Sequence, residues 1–369
     1  MSHASPAPAS SGPSGVTHPV QDAFTKVPVV DISSRSAGPA ARRALAERLG
    51  DICHHVGFVI VTNHGIDAAV INGVFDQSAT FFALPEEQKR TIDKRNSPHF
   101  RGWEPVGAEY TNNRPDMREQ IDLWTDHAAR ARTVTPEFLR LLGPNQWPSD
   151  EIAPGFRATL ERWFAEAGAL ADDLLRLLAL SLDLDEDHFD RTFGSERMSL
   201  TKMISYPETP AGEFGVNAHH DAGILTVLAP GTVPGLEVEN EDGDWIPVPI
   251  IPGSLVINLG EVMQKITGNY FVATPHRVTT RQPRLSVGYF HGPSLEMEMR
   301  PLPLDPRFAE AVANSPHHAN AGFMAQADET DAGVGDMQST AHPDIYGEQL
   351  WNYFARSYPE NMARHYPAD

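Results

Sequence analysis

Cysteine is nearly absent from this 369-residue chain. Cys53 is the single one, which excludes an intrachain disulfide and fits a reducing compartment. Long apolar runs are absent too. None approaches the roughly 20 residues a membrane span needs, and the opening MSHASPAPASSGPSGVTHPV lacks the apolar stretch of a secretory signal. The expected location is therefore the cytoplasm, with no membrane partner. Basic residues are scarce: 29 Lys and Arg stand against 49 Asp and Glu, a formal net charge of −20. A surface that grips phosphate backbones needs the opposite balance, so neither nucleic acid nor an anionic membrane surface is an expected partner. The charge reads as solubility. No internal repeat is visible.

What is present is ample for a core, since 41% of residues are hydrophobic. Residues 1–25 are Ala/Ser/Pro-rich and read as a disordered tail, because such a composition cannot offset its ordering entropy. Residues 26–369 read as one domain in three parts. The first, 26–190, is mostly helical, with strand-like VPVVDIS at 27–33 and GFVIVTNHG at 57–65. Helical spacing covers 39–55, with Leu45, Leu49 and Ile52 on one face, then 66–83 and 156–182. In the last of these, Leu160, Phe164, Leu170, Leu174, Leu177 and Leu178 make a broad apolar face that predicts packing on a sheet. From 198 to 300, short β-rich segments alternate with turn signals: MSLTKMISY, GILTVLA, GLEVEN, WIPVPI, SLVINL, RVTTRQ and RLSVGYFHG. That spacing predicts a barrel or sandwich. In 301–369, a Gly/Ala/Asp-rich stretch at 315–343 reads as a lid or a mobile insertion, with His317 and His318 outside any ligand set, and 346–357 reads as a helix. The fold class is α+β with a mainly β core.

Within NAHHDAGILTVL, His219 and Asp221 are two apart on a segment that reads as a strand. Alternation points both the same way and turns His220 to the other face. A third ligand is offered further on by His276, in ATPHRV. Two imidazoles and a carboxylate on one side of an ion leave its other positions open, an arrangement suited to iron(II) and also acceptable to zinc. Arg284 and Ser286, in PRLSVGYF, again share a strand face. An Arg fork and a Ser hydroxyl together suit a carboxylate.

These segments stand in a wider order: GFVIVTNHGI, FFALPEEQK, RGWEPVGAE, REQIDLW, GPNQWP, ISYPETP, AHHDAGILTVL, PGSLVINLGEVM, TPHRV and PRLSVGYFHGP. Together they resemble the isopenicillin-N-synthase-like branch of the iron(II)/2-oxoglutarate oxygenases, from residue 27 to about 362. The resemblance implies a double-stranded β-helix, or jelly roll, and an Fe(II) centre at His219, Asp221 and His276. It also implies 2-oxoglutarate and O2 as co-substrates. Arg284 and Ser286 would hold the distal carboxylate of 2-oxoglutarate, and Tyr206 would support it. Ile204 and Ser205 depart from the frequent Asn-Tyr at those places. Asp221 itself points away from halogenation, because related halogenases lack this carboxylate. Hydroxylation, desaturation or ring formation are the reactions it favours.

The last third, especially YGEQLWNYFARSYPE, is similar to bacterial members that include ethylene-forming enzymes. By that likeness Arg356, Glu109 and Thr111 contact an amino-acid substrate. Ala222 departs from the aromatic residue those enzymes carry after the metal Asp, which implies a roomier pocket. The expected function is thus oxidation of a carboxylate-bearing or amino-acid-derived small molecule in bacterial secondary metabolism, antibiotic biosynthesis included. The oligomeric state is open and admits a monomer. Three alternatives stand beside it: an oxidase of the same fold that does not use 2-oxoglutarate, an ethylene-forming-type enzyme, and a non-catalytic β-barrel binder.

Overall fold

A computed structural model describes residues 23–111, 114–210, 212–315, 318 and 345–367. The expected tail therefore lies outside the described residues except for its last three positions, and so does the expected lid at 315–343 except for Ser315 and His318. The strands are β1 (Val29–Asp31), β2 (Phe58–Thr62), β3 (Gly102–Glu104), β4 (Tyr110–Thr111), β5 (Arg114–Pro115), β6 (Glu119–Trp124) and β7 (Leu200–Tyr206). They continue with β8 (Val216–His219), β9 (Leu225–Ala229), β10 (Leu236–Glu239), β11 (Trp245–Pro247), β12 (Leu255–Leu259), β13 (His276–Val278) and β14 (Arg284–His291).

Eight strands form a large sheet in the order β1-β2-β12-β9-β14-β7-β6-β3, and four form a small one, β11-β10-β13-β8. β1 and β2 pair in parallel, while the other pairs of the large sheet are antiparallel. The long helix Phe156–Ser181 covers one face of this sheet. It buries Leu160, Trp163, Ala167, Leu170, Leu174, Leu177 and Leu178, the stripe its 3.6-residue period predicts. Phe164, half-buried, meets Tyr289 of β14 edge-on at 5.5 Å. Odd-numbered β14 residues therefore face the helix, and Arg284, Ser286, Gly288 and Phe290 face the other way. Helices Pro39–His55 and Ala68–Phe82 match the expected 39–55 and 66–83. The second starts at Asp67, whose carboxylate accepts from the Ala69 N–H at 2.9 Å.

The segment 26–190 is less purely helical than its periodicity implies. It supplies β1, β2, β3 and β6, half of the large sheet. β3 and β6 escape pattern reading because they place Glu104, Gln120 and Asp122 inside, all under 7% exposed. Charge at inward positions erases the alternation that marks a half-buried strand. RVTTRQ also shrinks: pairing ends at Val278, and His276 is the residue that opens β13.

Two expectations follow. Trp163 of the long helix is fully buried, so Trp163→Ala should lower unfolding stability by about 3–5 kcal/mol, read as a lower urea midpoint at unchanged slope. Cys53 is buried, and burial pushes its thiol up to about 12. The native protein should not react with a thiol reagent at pH 8, and denaturant should release one thiol equivalent.

Candidate active site

β13 and β8 lie side by side, antiparallel, with His276 directly opposite His219. Cross-strand partners on one face approach closely, and the two rings stand 4.2 Å apart between centroids, inclined by 50°. Asp221 completes the group: its Oδ1 is 3.8 Å from His219 Nε2 and 3.6 Å from His276 Nε2. Ligand atoms of the three residues converge within 4.8 Å, and no other such His, Cys, Asp or Glu group exists among the described residues.

The expected strand does not reach Asp221. β8 ends at His219, and the chain then turns, held by Glu261 N–H to the Asp221 carbonyl at 2.8 Å and Val262 N–H to the Gly223 carbonyl at 3.1 Å. Gly260 permits this approach, since a Cβ there would lie 2.3 Å from the Gly223 carbonyl oxygen. A turn pinned to the 260–262 backbone, rather than strand alternation, brings Asp221 round to His219. His220 stays out of the group, its Nδ1 3.8 Å from Glu261.

Each member is oriented from behind. His219 Nδ1–H donates to the Asn217 carbonyl at 2.9 Å and His276 Nδ1–H to the Thr274 carbonyl at 3.1 Å. That assignment leaves both Nε2 lone pairs facing the group. Asp221 Oδ2 accepts from Thr226 Oγ1 at 2.5 Å and Asn258 Nδ2 at 2.7 Å, so Oδ1 is the oxygen turned to the imidazoles. Burial, then the neighbouring His276, push His219 down to about 3. Burial alone would raise the Asp221 carboxyl, but His276 and His219 with the Thr226 hydrogen bond hold it well below the usual range. Two neutral imidazoles and one carboxylate are the form that binds a divalent metal.

The same face of the large sheet runs outward from this group. Asn258 pairs with Thr226 and Thr226 with Phe290. Along β14, β7 and β6, Gly288, Lys202 and Asp122 form one cross-strand row, and Ser286, Ile204 and Gln120 the next. Arg284 pairs with Tyr206. The expected trio is thus assembled: the Arg284 guanidinium lies 4.9 Å from the Tyr206 ring centroid, and Ser286 Oγ donates to Tyr206 OH at 3.5 Å. Arg284 is 3% exposed. Its Nε donates to the Val233 carbonyl at 3.1 Å and its Nη2 to the Pro230 carbonyl at 3.2 Å, while Nη1 is buried without a protein partner. A buried guanidinium nitrogen left unfilled between a serine and a tyrosine is the feature a ligand carboxylate would satisfy.

Glu109 and Thr111 lie in a second, ionic cluster. Glu109 pairs with Arg118, with Lys202 Nζ at 3.2 Å and with Tyr353 OH at 3.4 Å. Burial would raise its carboxyl, but Arg118, Lys202 and Lys94 hold it well below the usual range. Thr111 Oγ1 donates to Asp116 Oδ2 at 2.8 Å. Arg356 lies on the exposed side of helix Tyr346–Ser357, whose Tyr353 reaches this cluster. Pattern reading missed Asp116, Arg118, Lys202, Thr226 and Asn258. Lys202, Thr226 and Asn258 emerge only once the strand pairing is known, and Asp116 and Arg118 lie on no strand.

Comparison with known proteins agrees with this geometry. A family described as non-haem dioxygenase in morphine synthesis N-terminal matches residues 27–150, and one described as 2OG-Fe(II) oxygenase superfamily matches 195–293. The chain is 34% identical, over 74% of its length and 76% of the relative's, to the 2-oxoglutarate-dependent dioxygenase frbJ of Dothideomycetidae sp. (strain 11243). It is 30% identical to the Arabidopsis thaliana protein named homoarginine-6-hydroxylase 2-ODD-C23.2, over 77% of this chain and 82% of that one. In fold it is similar to a full-length Neurospora crassa protein solved in complex with alpha-KG, with a TM-score of 0.70, 21% identity and coverage of 90% and 96% of the two chains.

Proposed function

The chain belongs to the 2OG-Fe(II) oxygenase superfamily, and from that premise we propose that His219, Asp221 and His276 hold its Fe(II), with Arg284, Ser286 and Tyr206 holding the 2-oxoglutarate. The enzyme is an oxidoreductase that uses Fe(II), 2-oxoglutarate and O2 to oxidise a small molecule. Bound iron, 2-oxoglutarate and O2 supply an oxidant able to attack an unactivated C–H bond, with succinate and CO2 as by-products.

The observation that carries the reading is His219 set opposite His276 with Asp221 Oδ1 facing both. The protein's own groups do the positioning. Thr226 and Asn258 occupy one oxygen of Asp221, so the other is the oxygen that would be offered to the iron. Arg284 Nη1 and Ser286 would bind the distal carboxylate of 2-oxoglutarate and fix its length along β14 toward the metal group.

For the substrate we infer a carboxylate-bearing or amino-acid-derived molecule that is hydroxylated, desaturated or cyclised. The Asp221 carboxylate supports that choice over halogenation. Glu109, Thr111 and Arg356 are the substrate-side candidates; the ionic cluster around Glu109 supports a polar ligand, as does likeness to a protein named homoarginine-6-hydroxylase. A role in secondary metabolism and a cytoplasmic setting complete the reading, with buried Cys53 and no described helix long and apolar enough to cross a membrane. Residues 26–369 act as one domain, supported by strands from both family-matched segments sharing one sheet.

Three measurements test this. Anaerobic titration should give one Fe(II) per chain, and Asp221→Ala should lower that affinity at least tenfold; equal affinity would remove the ligand assignment. Arg284→Ala should weaken 2-oxoglutarate binding by roughly 10- to 150-fold, from lost charge-assisted bonds of about 1.5–3 kcal/mol. Succinate release against a panel of amino acids and their derivatives then identifies the substrate, and unchanged co-substrate affinity would refute the Arg284 anchor.

A further inference from the structure

β8 is the outermost strand of the small sheet. β13 pairs with it on one side only, and their register is irregular between His276 and Val278. An edge strand leaves backbone groups without ladder partners, and a buried N–H must find another acceptor. At Asn217 that acceptor is Asp116. Its Oδ1 takes the Asn217 backbone N–H at 3.2 Å and the Asn217 side-chain Nδ2 at 3.1 Å. Its Oδ2 takes Thr111 Oγ1 at 2.8 Å and Arg118 Nη2 at 3.1 Å. Four donors meet the roughly four acceptor positions of a carboxylate, and Asp116 has no exposed surface at all.

The position of Asn217 matters because its carbonyl is the acceptor that orients His219. One buried carboxylate therefore fixes, on one side, the peptide that aims His219. On the other it holds Thr111 and Arg118, and Arg118 in turn holds Glu109. A second stitch, Met117 N–H to the Phe214 carbonyl at 3.2 Å, ties the same loop to the start of β8. Asp116 and Met117 thus meet the strand of His219 while the adjacent Arg118 sits in the ionic cluster with Glu109.

We propose that Asp116 is a positioning residue for His219 and joins the ionic cluster of Glu109, Arg118 and Lys202 to the metal group. The inference rests on His219 being an Fe(II) ligand.

The test compares Fe(II) affinity, measured anaerobically on full-length protein, with the visible charge-transfer band formed on adding 2-oxoglutarate, in wild type, Asp116→Ala, Asp116→Asn and Glu109→Gln. Asp116→Ala should weaken Fe(II) binding about tenfold and shift the band. Asp116→Asn, which keeps an amide oxygen and the side-chain volume, should fold as wild type and lie between the two in both readouts. Glu109→Gln alters the ionic cluster without touching β8 and should leave Fe(II) affinity unchanged. A folded Asp116→Ala that holds Fe(II) as tightly as wild type, with an unmoved band, would overturn the inference alone. A Glu109→Gln loss equal to that of Asp116→Ala would also overturn it, since the effect would then belong to the cluster as a whole. Wild-type protein that bound no Fe(II) would overturn the ligand reading and this inference with it.

Discussion

The cross-strand placement of His219 opposite His276 is the constraint on which the rest of the site depends. It is a cross-strand pair on a short, irregular ladder at the margin of a four-stranded sheet. Such a ladder is weak by itself, because few residues pair and one side is open. Three outside supports make it definite: the Asp116 carboxylate on Asn217, the backbone stitches from 260–262 that return Asp221, and the edge-to-face contact of His276 with Phe58 at 5.1 Å. The two imidazoles are held both by carbonyls two residues before them and by groups remote in sequence.

The large sheet divides its labour between its faces. The face toward the long helix is apolar and close-packed, with Val227, Met203, Ile121 and Val287 all buried. The opposite face is polar along β6, β7 and β14 and includes Lys94, Glu104, Asp122 and Lys202 at its far end. Burying that many charges is costly unless each is paired. The structure pairs them densely, so the inner wall keeps a fixed pattern of charge rather than a smooth apolar lining. Burial and these paired cations act against each other on Glu109, and the cations prevail.

Much of this was legible in the sequence because local pattern and tertiary role coincide. The helix at 39–55, the helix opening at 156 and the strand carrying Arg284 and Ser286 follow simple periodicity. The structure brings Asp221 beside the two imidazoles by a route other than strand alternation: the chain has left the strand, and a glycine-permitted turn delivers the carboxylate. β3 and β6 were not visible as strands, since their inward positions are Glu104, Gln120 and Asp122, whose partners lie on other strands and helices. Asp116 gave no signal either. Its importance arises from the missing ladder partner of Asn217, a fact about pairing that exists only once the sheets are assembled.

The two donors behind Asp221 have a wider meaning. Thr226 on β9 and Asn258 on β12 converge on the same oxygen from adjacent strands, and both are buried. The demand for an acceptor oxygen at this spot is therefore written into the scaffold and not only into residue 221. A shortened side chain there would leave two buried donors without their acceptor, beside two imidazoles. The scaffold and the carboxylate are thus matched as seat and occupant, and neither is satisfied alone.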